Sequence, residues 1–505
     1  MKTYRWFWYL LSLTVLVVAT FGQSLQFTFW KDEWASYLAY THGVWSSTLW
    51  MHPGSVCIEL LKTWIFDTHV FGWQATGLIL KICASYVVMG CLRAITQSKK
   101  AGMISGIFFA ITIIGADAVS WGAAHVGLLD TIFISLSFLF GIQGIQEKRI
   151  SKYILAGVCV ILAFISDAAR VAPMCIMGLL YIYWFTPFGT HPLLKRLTVW
   201  IIGVGIISIS IFIFLNKSIF LDAAIVQYVT RYIHDPIRIV GRISLLGRFG
   251  NSLVHMAVGW FVPVYEKAST SSPTQWGIVG GWMGLIAYVY IFWRAIRIPN
   301  RTLRMSAFFL TWIVLFYLPN FLVEPRLVYG PTHRFFVLSS IGYIGLLSYW
   351  ISRIPYVWWY VLSIMVYVTF NIRAVHLWLI DERQYRDKKM TEYVYGRLNE
   401  VLPYDRPSIF MITGTHLFVE FGAGYAMHAP LLFYRHVLQT HDTPLYARDI
   451  EEMYRIFCRR KRDKSPTRVS DIYAWNISSS FILEDQSENI RRMIKVRYEA
   501  NQCKN

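Results

Sequence analysis

The chain has 505 residues, 55% hydrophobic and only 15% charged, with a net charge of +19 and a mean hydropathy of +0.44. A soluble domain averages about 25% charged residues, so this deficit, with repeated long apolar runs, excludes an ordinary soluble protein and implies a polytopic membrane protein. An excess of basic residues can also mark a nucleic-acid binder. Here, however, the Lys and Arg fall mostly between apolar runs, as short basic loops and contacts with anionic lipid or phosphate require; membrane lipid is the expected partner, and nucleic acid is not.

The N-terminus places Lys2 and Arg5 before an apolar run with no convincing small-residue cleavage site, which reads as a retained signal-anchor helix. A span needs about 20 apolar residues, and the first covers 6–22. A polar, aromatic loop follows over 23–70. Further spans are expected near 71–92, 103–119, 125–144, 153–166, 171–188 and 197–215. A second long loop covers 216–250, and a short apolar piece covers 253–264. Spans near 276–293, 306–323, 335–351 and 356–372 complete the set. Aromatic clusters such as Tyr356-Val357-Trp358-Trp359-Tyr360 sit at span ends, where Trp and Tyr favour the interface.

Lys and Arg in short loops mark the cytoplasmic side: Arg93 with Lys99 and Lys100, Lys148 with Arg149, Lys195 with Arg196, Arg294 to Arg304, and Arg353. These turns agree only if 253–264 is re-entrant or interfacial. The expectation is an all-α membrane domain of about 11 transmembrane helices over 1–380, with the N-terminus inside. A smaller soluble α/β domain over 381–505 would follow outside the cell, with a strand near 408–414. If the short piece crosses, that domain flips to the cytoplasm. Seven Cys show no metal spacing, and Cys458 and Cys503 could pair if the C-terminal region lies outside.

The outer face collects the unusual residues. The first loop carries Asp32, Glu33, His42, His52, Glu59 and Lys62. The turn after the third span carries Asp117, Trp121 and His125, with Asp130 one helical turn further on. Asp167 and Arg170 follow, and the last outer turn carries Glu324, Arg326, His333 and Arg334. Carboxylates serve as general bases or metal ligands, and arginines grip phosphate by two-pronged hydrogen bonds. Adjacent residues share neither a helix face nor a strand face, so Asp32 and Glu33 do not form one dyad: one faces the site and the other supports it. Each group also has a structural reading. Asp32 and Glu33 suit a helix start, and Asp117 suits a cap. Glu59–Lys62 and Asp167–Arg170 suit i,i+3 ion pairs. Lys62 would then snorkel from an interfacial helix over 54–66, and Arg334 would anchor a span end.

Taken in order and on one side, these motifs resemble the GT-C class of membrane glycosyltransferases that use polyprenyl-phosphate sugars, such as protein O-mannosyltransferases and lipid A aminoarabinose transferases. Asp32-Glu33 follows the first span and reads on as Trp34-Ala35-Ser36-Tyr37. His52-Pro53-Gly54 stands where the class often has His-Pro-Pro. Asp117, His125 and Asp130 frame the next outer turn, and His333-Arg334-Phe335-Phe336 stands near the family's Arg-Tyr. Gly54 and Phe335 depart from the usual proline and tyrosine. The resemblance covers roughly the first 190 residues well and the rest loosely.

That resemblance implies an inverting cell-envelope transferase. The donor would be a polyprenyl-phosphate-linked sugar, and the acceptor a hydroxyl on a glycan, lipid or protein. Asp32 would be the general base, with Glu33 in support. Arg334, Lys62 and Arg170 would hold the donor phosphate. Asp117, His125 and His52 would orient the acceptor. A divalent cation, Mg or Mn, is left open, with Asp32, Asp117 and His125 as its ligands. Two other readings stand beside it: an O-antigen-ligase-like or polymerase-like enzyme with a diphosphate-linked donor, and a transporter or lipid-handling protein. The last would favour internal repeats and ionisable groups near the midplane; no repeat is visible.

Overall fold

The computed structural model describes residues 2–29, 33, 53–67, 69–186, 239–258, 270–271, 275–323, 328–384, 394, 396–403, 407–414, 444–447, 449–463, 465, 467–477, 482–501 and 503. Asp32, His42, His52, Glu324, Arg326 and the expected span 197–215 lie outside the described residues.

Helices dominate. In chain order they are α1 Lys2–Phe21, α2 Pro53–Phe66, α3 Val70–Thr96, α4 Lys99–Ile111, α5 Val126–Glu147, α6 Ile150–Ser166, α7 Val171–Phe185, α8 Ile239–Val258, α9 Gln275–Arg297, α10 Arg301–Val323, α11 Val337–Ile351 and α12 Val357–Arg383. Among the described residues, seven stretches are long and apolar enough to cross a membrane, as befits a multi-pass membrane protein. Apolar side chains point outward as well as inward. On α6, Ile154, Val158 and Ile161 are exposed while Cys159 and Ala163 are buried; a helix facing lipid needs no polar side.

Tight turns set antiparallel neighbours. Gln97 takes a left-handed conformation at the end of α3, and Ser98 caps α4 by accepting from the Ala101 N–H at 3.2 Å. Lys148 does the same between α5 and α6. The bundle therefore has two ends. One holds the basic turns Gln97–Lys100, Lys148–Arg149, Ile298–Arg301 and Ser352–Arg353. The other holds the end of α1, the starts of α3, α5 and α7, and the end of α10.

Three expectations need correction. The third span, placed at 103–119, ends as a helix at Ile111, because the chain leaves it to pair with another loop. The second long loop does not extend to 250: α8 begins at Ile239 and absorbs the start of the short apolar piece. Arg242 and Arg248 mask its apolar periodicity in the sequence. Phe249 packs on Tyr317 and Phe321 near the end of α10, and Gly250 lies against Gly281 near the start of α9. The middle of α8 is thus held at the loop-rich end of the bundle. The last span is also longer than expected, running on to Arg383.

The C-terminal part is α/β. Strands β3 Ile409–Thr413, β4 Leu445–Ala447, β5 Ile472–Ile477 and β6 Leu483–Asp485 form a sheet in the order β4-β3-β5-β6, after the short antiparallel pair β1 Thr270–Ser271 and β2 Val328–Tyr329. β4, β3 and β5 are parallel, and β6 is antiparallel to β5. Ile409 and Met411 face helices α13 Ile450–Arg462 and α14 Ser487–Asn501, while Phe410 and Ile412 join the core that runs through the bundle. Both faces are covered, so β3 is a continuous apolar run. Cys458 and Cys503 form a disulfide across this layer.

Candidate functional site

Four segments meet at the loop-rich end. The stretch between α4 and α5 pairs with the turn before α11: the Gly115 N–H donates to Pro331 O at 2.8 Å and the Asp117 N–H to Thr332 O at 2.9 Å. A buried asparagine on α12 completes the corner, Asn371 Oδ1 accepting from the Ile113 N–H at 3.1 Å. These bonds satisfy backbone groups that leave helix α4 inside the protein.

Helix α2 turns its charges inward. Leu61, Trp64 and Ile65 are exposed, whereas Glu59 and Lys62 are each 1% exposed. A helix that shows its apolar side and hides its charges lies against lipid, with a polar site behind it. Gly54 makes the approach of α2 to α6 feasible: a Cβ there would stand 2.5 Å from Ser166 Cα.

Lys62 Nζ donates to Glu59 Oε1 at 2.6 Å and to Gly122 O at 3.1 Å, and lies 3.5 Å from His125 Nδ1. Its ammonium sits 4.6 Å from the centre of the Trp73 ring. Three donors meet three acceptors. His125 Nε2 is 3.3 Å from Val119 O, so the ring fits the tautomer that donates from Nε2 and accepts at Nδ1. Glu59 Oε2 has no hydrogen-bond partner among the described residues, and burial pushes this carboxyl above the ordinary carboxylate range against the pull of Lys62.

Glu33 is buried, and its Oε1 accepts from the Gly122 N–H. Gly122 is thus gripped on both sides of its backbone, by Glu33 and by Lys62. A Cβ there would stand 2.5 Å from Glu33 Oε1 and 3.1 Å from Lys62 Nζ. Next to it, Trp121 carries the guanidinium of Arg334 3.9 Å over its ring. Asp117 is buried in the same loop.

Arg170 reaches this corner through an intermediary. Its Nε donates to Asp167 Oδ2 at 2.9 Å and its Nη2 to Asn320 Oδ1 at 2.9 Å. Asn320 Nδ2 then donates to Phe335 O at 3.2 Å, beside Arg334. Asp130 is fully buried below, near Ser166, Asp167 and Arg170, and neither of its oxygens has a hydrogen-bond partner among the described residues.

The structure therefore brings Glu33, Lys62, His125, Asp117 and Arg334 together around residues 117–125, with Arg170 linked through Asn320. Lys62 does not snorkel, and both i,i+3 ion pairs form. Gly122, Trp73 and Asn320 are further members that sequence reasoning did not single out. Only the proline just before Asn320, inside helix α10, hints that this stretch is special. Among the described residues no group of three His, Cys, Asp or Glu could hold a metal, and the Lys62 ammonium faces His125 Nδ1. Asp32, the first of the possible ligands, lies outside the described residues.

The chain matches no protein-family model and no curated protein by sequence. By structure it aligns at low identity with several solved chains. One is the archaeal oligosaccharyltransferase AglB from Archaeoglobus fulgidus in complex with an inhibitory peptide and a dolichol-phosphate, at 12% identity and TM-score 0.47, covering 94% of this chain and 69% of that one. The A. fulgidus oligosaccharyltransferase tethered to an acceptor peptide aligns at 13% identity and TM-score 0.45, covering 98% and 68%. ArnT from Cupriavidus metallidurans bound to undecaprenyl phosphate aligns at 11% identity and TM-score 0.46, covering 94% of each chain.

Proposed function

We propose that the protein is an integral membrane glycosyltransferase that moves a sugar from a polyprenyl-phosphate donor to an acceptor hydroxyl, with inversion, at the loop-rich end of the bundle on the outer face. One observation carries this reading. Two cations, Lys62 and Arg334, and the carboxylate Glu33 converge on the Trp121-Gly122 step behind a helix whose exposed face is apolar. Such a corner suits a substrate with a phosphate head and a lipid tail.

Asp32 precedes Glu33 in the chain. With Glu33 engaged by Gly122, Asp32 is the carboxylate assigned as base. It takes the proton of the acceptor hydroxyl; the acceptor oxygen attacks the anomeric carbon from the face opposite the phosphate. The C–O bond to the donor phosphate breaks, and the lipid phosphate leaves with the electron pair. Cations near the leaving group offset its developing charge. Arg334 is the first candidate for direct contact. Arg170 keeps further N–H donors beyond the two it spends on Asp167 and Asn320. Lys62, with its three donors engaged, acts on the phosphate through its charge and holds Gly122 in place. His125 orients Lys62, and Asp117 and His52 serve the acceptor side.

The test is transfer by purified protein supplied separately with polyprenyl-monophosphate and polyprenyl-diphosphate sugars. Turnover is expected with the monophosphate donor, and Asp32→Asn is expected to abolish it in folded, inserted protein. Near wild-type turnover by Asp32→Asn overturns the base assignment, and turnover with only the diphosphate donor overturns the donor class.

A further inference from the structure

The opposite end of the bundle holds a second feature that the transfer reaction does not use. A cavity of about 580 Å³ opens between the C-terminal halves of α3 and α5, within the usual size of a ligand site, about 300–1,000 Å³. Its inner part is lined by Gly90, Leu136 and Leu139, and its rim by Arg93, Lys99 and Gln143. The missing side chain at Gly90 opens the space: a Cβ there would meet Leu139 Cδ2 at 3.3 Å. A smaller cavity of about 220 Å³ adjoins it through Gln97 and is lined by Arg301 and Arg304. Arg301 Nη2 donates to Gln97 Oε1 at 2.6 Å, which ties the two rims together.

Charge is lopsided here. The acid at the rim is Glu147, which lies 3.6 Å from Arg149. Helix α4 starts with Lys99 and Lys100 and has no acid in its first turn, although the first turn is the positive pole of a helix and favours anions. Four cations, Arg93, Lys99, Arg301 and Arg304, thus line two neighbouring cavities, the larger of which also has Leu136 and Leu139 in its wall. An apolar wall below a basic rim, at a helix end, fits acyl chains below a phosphate head group.

We propose that this cavity binds an anionic phospholipid of the leaflet at the basic end, with its acyl chains between α3 and α5 and its phosphate at Arg93 and Lys99. The site is separate from the transfer site and does not depend on that assignment.

The experiment uses the full chain in nanodiscs of mixed phosphatidylglycerol and phosphatidylcholine, with retained lipids counted by native mass spectrometry. Wild-type protein is expected to keep phosphatidylglycerol in preference to phosphatidylcholine, and to melt at a higher temperature with it. Arg93→Gln with Lys99→Gln is expected to weaken that retention about 30-fold, from two phosphate-facing cations at roughly 1 kcal/mol each. Gly90→Leu is expected to remove it by filling the cavity while leaving every charge in place. Equal retention of the two lipids by wild-type protein overturns the proposal, as does undiminished phosphatidylglycerol retention in both variants. Displacement of the lipid by millimolar inorganic phosphate would overturn the role given to the acyl chains. The wild-type comparison stands even if a variant fails to fold.

Discussion

Lys62 is the residue on which the site turns. It is buried, paired with Glu59 at 2.6 Å, and bonded to Gly122 O. Removing one partner of a buried ion pair costs about 3–5 kcal/mol, because the other charge is left uncompensated. Lys62→Met should therefore destabilise the protein by about that amount, whereas Lys62→Met with Glu59→Gln should recover most of the loss. Thermal melts of both variants in detergent check this. The double variant should fold yet transfer sugar poorly, since Gly122 loses one of its two grips and the phosphate loses a nearby charge. Full activity in a folded double variant would make the pair purely structural. The sequence shows both charges and their spacing, and an i,i+3 pair follows from helix geometry alone. It does not show that the pair faces inward. That depends on the exposed Trp64 and Leu61 side meeting lipid, where the usual rule of apolar-in is reversed. Gly122 was illegible for a related reason: a backbone held on both sides leaves no mark on the sequence except the lack of a side chain.

At the scale of elements, the long apolar helices were legible because composition alone defines them, and the strand at 409–413 was legible from its buried run. Helix α8 was not, because arginines interrupt its apolar pattern and its packing partners, α9 and α10, come later in the chain. The basic run Arg459-Arg460-Lys461-Arg462 also reads differently once seen as the last turn of α13. Cations suit the negative pole of a helix, and Glu451 and Glu452 suit its start. The run is local helix chemistry and says nothing about the side of the membrane. Helix α10 carries a long-range polar link that no spacing rule could reveal, from Arg170 through Asn320 to Phe335 O. Asn320→Leu should take the acceptor from a guanidinium donor and remove the bond to Phe335 O. The expected cost is about 1.5–3 kcal/mol for a hydrogen bond to a charged group, with a raised KM for the lipid donor. Asn320→Asp keeps the acceptor for Arg170 and loses the donor to Phe335 O. It should fold near normally and still raise the donor KM, if the link positions the Arg334 turn. An unchanged KM in both variants would confine Asn320 to packing.

At the scale of the whole molecule, the open question in the sequence is which side carries the C-terminal part, because one additional crossing reverses it. Geometry bears on this through α12, which starts after the basic turn Ser352–Arg353 and delivers the chain to the same end as the site. The Cys458–Cys503 bridge points the same way, since disulfides persist in oxidising compartments and are rare in the cytosol. Closing a loop with a sequence separation of 45 contributes on the order of 4 kcal/mol in the chain-entropy view. Cys458→Ser and Cys503→Ser should each lower the melting temperature of the sheet layer while leaving the spans inserted. In intact cells, a membrane-impermeant maleimide should label Cys503 in the Cys458→Ser variant but not in the wild type. Labelling only after the membrane is opened would put the C-terminal part on the cytoplasmic side. It would also move the cluster at Lys62, Gly122 and Arg334 to that side, because the sheet and the site share one end of the bundle.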